Sequence, residues 1–256
     1  MLTQTVPDSA GPEAICPAHP DQPSTGTCGR CGRFFCGQCS RLQGLCWECE
    51  RRKFVQALPS TSLLARLTQV LMGIRVVPAA LSMAIQLWLF IRLEAGLPRL
   101  EDAQTHDAVL LALDRPMRVL FLLSAVFFLP WLHYSVRVAN ALGRSWQCPW
   151  WAVLCWFIPL VNLVVAYQSL HRLRANLGIP ARDRLLPFFW AASLCSGLAI
   201  GLQSDLSRAY PDSVPGLLLL GSAGNALTVA GCVLSVLIIG QTQGLVDARK
   251  AGALKV

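Results

Sequence analysis

Charge is what this sequence has least of. Asp, Glu, Lys and Arg make up 14% of its 256 residues, where about a quarter is usual in a soluble domain. With 54% hydrophobic residues and a mean hydropathy of +0.49, the balance excludes an ordinary water-soluble globule and points to an integral membrane protein. Catalytic signatures are missing too. There is no His-Glu-x-x-His and no Walker-type phosphate loop. A Gly-x-Ser-Gly nucleophile is not formed, because Leu194 stands where Ser196-Gly197 would need a glycine, and Ser222 is followed by Ala223. The apolar segments carry no carboxylate, the usual mark of proton-coupled transport. The first residues lack an apolar signal-peptide core, so a secreted protein is not expected. No internal repeat is evident.

Against this background cysteine is concentrated. Seven of the eleven cysteines lie between Cys16 and Cys49; the others, Cys148, Cys155, Cys195 and Cys232, are scattered through apolar sequence, where a free thiol acts as a small buried hydrophobe. The array reads Cys16-x-x-His19, Cys28-x-x-Cys31, Cys36-x-x-Cys39, Cys46-x-x-Cys49. A two-residue gap lets both side chains of a tight turn face one ion, and zinc takes four tetrahedral sulfur or nitrogen donors. Four such turns supply two complete sites with no donor left over, so two structural zinc ions are expected as cofactors. Gly29, Gly32 and Gly37 stand where the turns would need positive φ. The competing reading is a disulfide cluster, which reducing cytosol disfavours and in which His19 would have no role. Phe34, Phe35 and Trp47 are expected to form the small core, with metal supplying the rest of the stability.

Spacing allows two pairings. Interleaved, Cys16, His19, Cys36 and Cys39 form site 1, while Cys28, Cys31, Cys46 and Cys49 form site 2. In sequential order the first four donors hold one ion and the last four the other. The array resembles a B-box-type zinc finger, with Cys46 and Cys49 where many B-boxes carry histidine. That resemblance implies a small cross-braced fold and therefore the interleaved sites.

The formal charge of +8 raises the question of nucleic acid, since Arg30, Arg33, Arg41, Arg51, Arg52 and Lys53 surround the array. The patch lacks the interleaved aromatics of single-strand binders, and thiolate-bound zinc is itself net negative. Nucleic acid is therefore not the expected partner. Most other arginines flank apolar spans, where they mark the cytoplasmic side.

Along the chain we expect a disordered tail over residues 1–14, the double-zinc module over 15–52, a linker over 53–62, a membrane domain over 63–245 and a basic tail over 246–256. Leu58-Pro59-Ser60 breaks the chain and Ser60 or Thr61 caps a new helix. The first span centres on the charge-free stretch Val76 to Ile91, with Arg75 and Arg92 snorkelling at its ends. An acidic loop, Leu93 to Pro116, carries a short helix near Asp107. The second span runs from Met117 to Val136, kinked at Pro130 and ending at the interfacial residues Trp131, His133 and Tyr134. Later spans cover Leu185 to Leu202 and Val214 to Ile239. Ser193, Ser196, Gly197 and Gly201 in the first of these, and Gly216, Gly221, Gly224 and Gly231 in the second, suit close helix packing. His106 and His171 are expected to face solvent.

From the end of the second span onward come Trp131, Asn140-x-x-Gly143, Trp150-Trp151 and Phe157-Ile158-Pro159-Leu160-x-Asn162. These residues resemble domain-of-unknown-function family 4328, a set of bacterial multi-pass membrane proteins, over about Leu64 to Gln243. The resemblance implies a membrane fold without an assigned activity. Trp150 to Leu170 is long enough to cross, but Pro149 and Pro159 divide it. Arginines lie on both flanks, at Arg137 and Arg144 before it and at Arg172, Arg174, Arg182 and Arg184 after it. The positive-inside rule then favours a re-entrant or broken hairpin packed between the other spans.

The expected fold is an all-α membrane bundle of four spans plus a re-entrant or broken fifth apolar segment, with a small N-terminal zinc-stabilised domain. Asn140, Trp150, Pro159 and Asn162 are the candidate ligand or packing residues of the bundle; no catalytic residue is assigned. Asn162 and Asn225 suit interhelical hydrogen bonds more than ligand contacts. The expected function is a non-enzymatic scaffold in the cytoplasmic membrane, with the zinc module and the C-terminus cytosolic and the bundle open to homo-oligomerisation. Its zinc module would recruit a cytosolic protein. The alternatives are a small-molecule or lipid transporter built around Pro159 and Asn162, and a zinc or redox sensor.

Overall fold

A computed structural model describes residues 14–39, 44–97, 99–142, 146–180, 183–209 and 214–252. The expected disordered tail falls almost wholly on residues 1–13, outside the described residues. The chain divides into an N-terminal unit ending at Leu58 and a helical unit, Pro59–Ala251.

The N-terminal unit is built from two small hairpins and a helix. β1 (Ile15–Cys16) pairs antiparallel with β2 (His19–Pro23), and β3 (Gly26–Thr27) pairs antiparallel with β4 (Phe34–Phe35). α1 spans Trp47–Ala57. Strands this short cannot build a large core: one small cluster joins Cys28, Phe35, Cys46 and Cys49, with Leu45 and Cys39 packed against it, and Cys16, Cys36, Val55 and Leu58 are also buried. Of the three aromatics expected inside, only Phe35 is. Phe34 is 47% and Trp47 42% exposed, because alternation in β4 turns Phe34 outward and Trp47 sits on the first, outer turn of α1. α1 continues through Lys53 to Ala57, residues read from sequence as linker.

Among the described residues of the helical unit, four helices are long and apolar enough to cross a membrane: α2 (Ser62–Glu94), α3 (Leu100–Leu142), α7 (Leu185–Ala209) and α8 (Val214–Gly252). The apolar runs expected as spans each lie inside one of them. α3 differs most from expectation, since the stretch read as an acidic loop is helical from Leu100 onward. The Asp102 carboxylate accepts the backbone N–H of Arg99 at 2.9 Å and the Arg92 guanidinium at 3.0 Å, which closes the α2–α3 turn and leaves Glu101 and Asp102 in the first turn, where the helix dipole favours acids. His106, expected at solvent, is 7% exposed and its Nδ1 lies 2.9 Å from the Asp107 carboxylate.

α8 is the central helix: 44% of its most apolar window is buried, against 17% for α7. The small residues make that packing possible. A Cβ on Gly224 would stand 2.9 Å from Ile200 Cγ1 and 3.2 Å from Ala199 Cβ, and one on Gly221 would collide with the Gln203 side chain. Ser196 Oγ donates to the Gly224 carbonyl at 2.9 Å and lies 2.6 Å from Thr228 Oγ1. α8 also meets α2, where Gln69 Nε2 donates to the Val236 carbonyl at 2.9 Å. Lys250 Nζ donates to the Pro59 carbonyl at 3.1 Å, so the start of α2 and the end of α8 lie at one end of the bundle.

The apolar stretch that follows α3 is interrupted by proline. α4 (Pro149–Leu154) and α5 (Pro159–Val161) each open on a proline, a π-helical turn covers Asn162–Ala166, and α6 (Tyr167–Asn176) follows. Each proline pushes the residue before it into extended backbone: Cys148 has φ −66°, ψ 115° and Ile158 has φ −102°, ψ 108°. α4 is only six residues long, whereas α5, the π-turn and α6 follow one another without a gap from Pro159 to Asn176.

Candidate metal centres and the hairpin of the helical unit

The eight array donors fall into two clusters, Cys16, His19, Cys36 and Cys39, and Cys28, Cys31, Cys46 and Cys49; within each, the donor atoms all lie within 4.8 Å of one another. This is the interleaved arrangement. The backbone explains it. Cys16 and His19 face each other across the β1–β2 turn. The Cys28–Cys31 turn is closed by Gly32 N–H donating to the Cys28 carbonyl at 2.9 Å and by Cys28 N–H donating to the Arg33 carbonyl at 2.9 Å. Cys46 precedes α1 and Cys49 lies in its first turn. The Trp47 N–H donates to the Cys39 carbonyl at 2.7 Å, which pins the last turn of one cluster to the helix that carries the other. Of the three glycines expected at positive φ, Gly32 alone has it, at 71°.

The spacings fit a metal and not disulfides. Sulfurs around an ion at 2.3 Å form a tetrahedron with edges of about 3.8 Å. Cys16 and Cys39 sulfurs are 3.6 Å apart, and those of Cys31 and Cys46 are 3.8 Å apart. His19 Nδ1 lies 3.1 Å from Cys39 Sγ and 3.4 Å from Cys36 Sγ, close to the edge of about 3.5 Å that a mixed nitrogen–sulfur site requires. Every cysteine is a free thiol, whereas a disulfide would bring sulfurs to about 2.05 Å. Each cluster can therefore hold one metal ion.

The thiols are electrostatically prepared for a cation. At Cys16, burial raises the pKa, but the backbone N–H groups of Ala18, Cys36 and His19 outweigh it and bring the thiol down to about 6. Cys28 also sits at about 6, where N–H groups of Cys46, Cys31 and Arg30 overcome the effect of burial. Burial, then the neighbouring thiols Cys16 and Cys36, push Cys39 up to about 11; burial, then Cys31, Cys46 and Cys28, push Cys49 up to about 12. Such clusters resist carrying three or four thiolates by themselves, and a dication removes that repulsion. Around them, Glu48 accepts from Arg33 at 3.0 Å and Arg52 at 2.6 Å, while the Arg51 guanidinium lies over the Trp47 ring at 5.7 Å. These arginines of the expected basic patch are engaged within the unit; Arg41 lies outside the described residues.

In the helical unit, the four candidate residues organise the broken segment. Asn140 Nδ2 donates to the Gln147 carbonyl at 2.6 Å, and Gln147 N–H donates to Asn140 Oδ1 at 3.0 Å, so one side chain clamps the turn after α3. The Gln147 side chain reaches Ser169 Oγ, which brings both ends of the segment together. Between them, Trp150 packs against His133 at 4.5 Å and Trp156 against Phe128 at 5.1 Å. Phe128 lies about 18 Å back along α3 from Asn140. The segment is therefore a hairpin that runs along α3 and returns. Pro159 starts its second arm, and Asn162 opens the π-turn with a buried Oδ1 that has no hydrogen-bond partner. The π-turn leaves the Leu163 carbonyl to accept from Trp190 Nε1 at 2.9 Å. Asn225 bonds within its own helix, to the Gly221 carbonyl at 3.1 Å, rather than across helices. A small cleft with room for about one water lies at the far end of α6, lined by His171, Arg174 and Asp183 among others, away from Asn162.

Two polar centres were not anticipated. Arg174, read as a flanking cytosolic charge, is buried: it pairs with Asp183 and donates to Thr242 Oγ1 and Gln241 Oε1, each at 3.1 Å. Gln243 Oε1 accepts from Trp131 Nε1 at 2.8 Å and Thr61 Oγ1 at 3.0 Å. The available signal was the cluster Gln241-Thr242-Gln243, polar residues interrupting the apolar run of α8.

These features define a multi-span helical membrane protein with an N-terminal pair of metal-binding cysteine clusters. A family model described as "Domain of unknown function (DUF4328)" matches residues 96–244, more than half of the chain, and the protein belongs to that family. The match begins beyond α2, later than the Leu64 expected from sequence. No curated protein and no solved structure matches.

Proposed function

We propose that the protein is a membrane-anchored zinc scaffold whose N-terminal module recruits a protein partner and whose bundle anchors it, without catalysis of its own. The observation that carries this reading is the full donor complement: each cluster offers four protein ligands, and a closed four-coordinate site is structural, whereas a catalytic zinc keeps an open position. Zinc is favoured as the ion because thiolate and imidazole in tetrahedral array suit it. Module and C-terminus face the cytosol of the cytoplasmic membrane in this reading, supported by the arginines flanking the hairpin, and the hairpin is re-entrant. The test is elemental analysis of the purified chain, followed by comparison of proteins co-purified from native membranes by the unaltered chain and by the Cys28→Ser/Cys31→Ser variant. Two zinc equivalents and a partner lost only from the variant are expected. An identical partner list would overturn the recruitment reading.

A further inference from the structure

The two clusters differ in their access to solvent. In the first, Cys16 and Cys36 are buried and His19 and Cys39 half-buried; in the second, Cys28, Cys46 and Cys49 are buried but Cys31 is exposed. Cys31 sits between Arg30 and Arg33, whose side chains lie in solvent-exposed contacts with Gln56 at 3.4 Å and Glu48 at 3.0 Å. The side of the turn at Gly32 is open: a Cβ there would meet nothing within 4 Å. A partly exposed thiolate in basic surroundings is the setting in which cysteines react with oxidants. A second sulfur is at hand, Cys46 Sγ at 3.8 Å.

We propose that Cys31 is the oxidant-reactive ligand of the second cluster, and that hydrogen peroxide converts Cys31 and Cys46 to a disulfide and empties that site while the first keeps its ion. The proposal rests on the metal-binding reading above. In the first step the Cys31 thiolate attacks a peroxide oxygen. An S–O bond forms, the O–O bond breaks and hydroxide leaves, giving a sulfenic acid. The Cys46 thiolate then attacks that sulfur; an S–S bond forms, the S–O bond breaks and a second hydroxide leaves. The two sulfurs give up two electrons to the peroxide, and the two hydroxides released are neutralised by protons from the buffer. Cys28 and Cys49 remain as the only donors, too few for a closed site. The membrane-bound module would thereby change its shape, and with it any protein it holds, in response to peroxide.

The test uses the full chain in lipid nanodiscs, loaded with zinc alone and titrated with hydrogen peroxide. A colorimetric chelator reads release, and mass spectrometry of digests maps the bridges. One of the two zinc equivalents should leave first with a Cys31–Cys46 bridge, and the second only at a dose about tenfold higher. Cys31→His keeps a zinc donor that cannot form a disulfide; it should retain both ions and lose the early phase. Simultaneous release, early loss from the first cluster, or an early bridge between other cysteines would overturn the proposal with metal binding intact. If Cys31→His binds one ion only, the bridge map of the unaltered chain decides. A chain that binds no zinc before peroxide is added overturns the metal reading itself.

Discussion

Trp131 and Gln243 are joined across the bundle by a hydrogen bond of 2.8 Å from the indole N–H to the amide oxygen, with the indole fully buried. The same oxygen accepts from Thr61, so one side chain of α8 ties the residue before α2 to the C-terminal part of α3. Gln243 Nε2 in turn donates to Asp247 at 2.8 Å. Trp131→Phe keeps most of the ring and removes the donor. It should lower unfolding stability in detergent by about 1 kcal/mol, the scale of interhelical hydrogen bonds in membranes. Trp131→Ala should cost several times more by opening a cavity. A Trp131→Phe variant as stable as the unaltered chain by chemical denaturation would show that the hydrogen bond contributes nothing.

Gly224 and Gly216 belong to one apparent small-residue stripe, yet only Gly224 lies against a neighbour. Gly224→Ala should cost about 1–3 kcal/mol through overpacking against Ile200 and Ala199. Gly216→Ala should be neutral or slightly stabilising, since a helical alanine replaces a more flexible glycine. Thermal unfolding of both in the same detergent checks the contrast.

Arg174 is held by Asp183, Gln241 and Thr242 with almost none of its side chain exposed. Asp183→Ala leaves a buried guanidinium without its counter-charge and should destabilise by about 3 kcal/mol. The double variant Arg174→Met/Asp183→Ala should recover much of that loss, because it removes the buried charge altogether. A double variant as unstable as the single would refute the role of burial.

Loading the clusters should release protons. At pH 7.5 the thiols of Cys39 and Cys49, pushed up to about 11 and about 12, are protonated in the apo chain, and Cys46 is also raised. A metal ion takes thiolates only, so binding displaces those protons and affinity rises with pH. Calorimetry of zinc binding in buffers of different ionisation enthalpy measures the release. Retention should fall as pH drops from 7.5 towards 5, where protons reclaim even Cys16 and Cys28, near 6 in the apo chain.

The Gln147–Ser169 contact predicts that both ends of the hairpin open to one face of the membrane. Trp146→Cys and Arg172→Cys should be modified by an impermeant maleimide from the same side of oriented vesicles, with mass spectrometry distinguishing them from native cysteines. Labelling from opposite sides would mean that the segment crosses.

Much of this architecture was legible in the order of residues. Donor spacing identified the metal-type turns because two intervening residues define a local geometry. Apolar runs identified the four long helices because bilayer thickness imposes a length. Pro149 and Pro159 marked the breaks of the hairpin because a ring at those positions removes a donor and bends the residue before it. Helix ends were harder: Leu100 to Pro116 looked like a loop by polarity, and its helicity depends on the Asp102 contacts with Arg92 and Arg99.

By itself, then, the sequence determined which runs are apolar and long enough to cross a membrane, which residues are metal donors, and where the chain must break. All of these follow from local covalent geometry and from solvation along the chain. Tertiary structure alone decided which turns share a cluster, that Arg174 is buried rather than facing the cytosol, that Gly224 and not Gly216 touches a neighbour, and that Cys31 is the ligand left open to solvent. Those properties depend on atoms far apart in the chain, and no local preference encodes the distance between them.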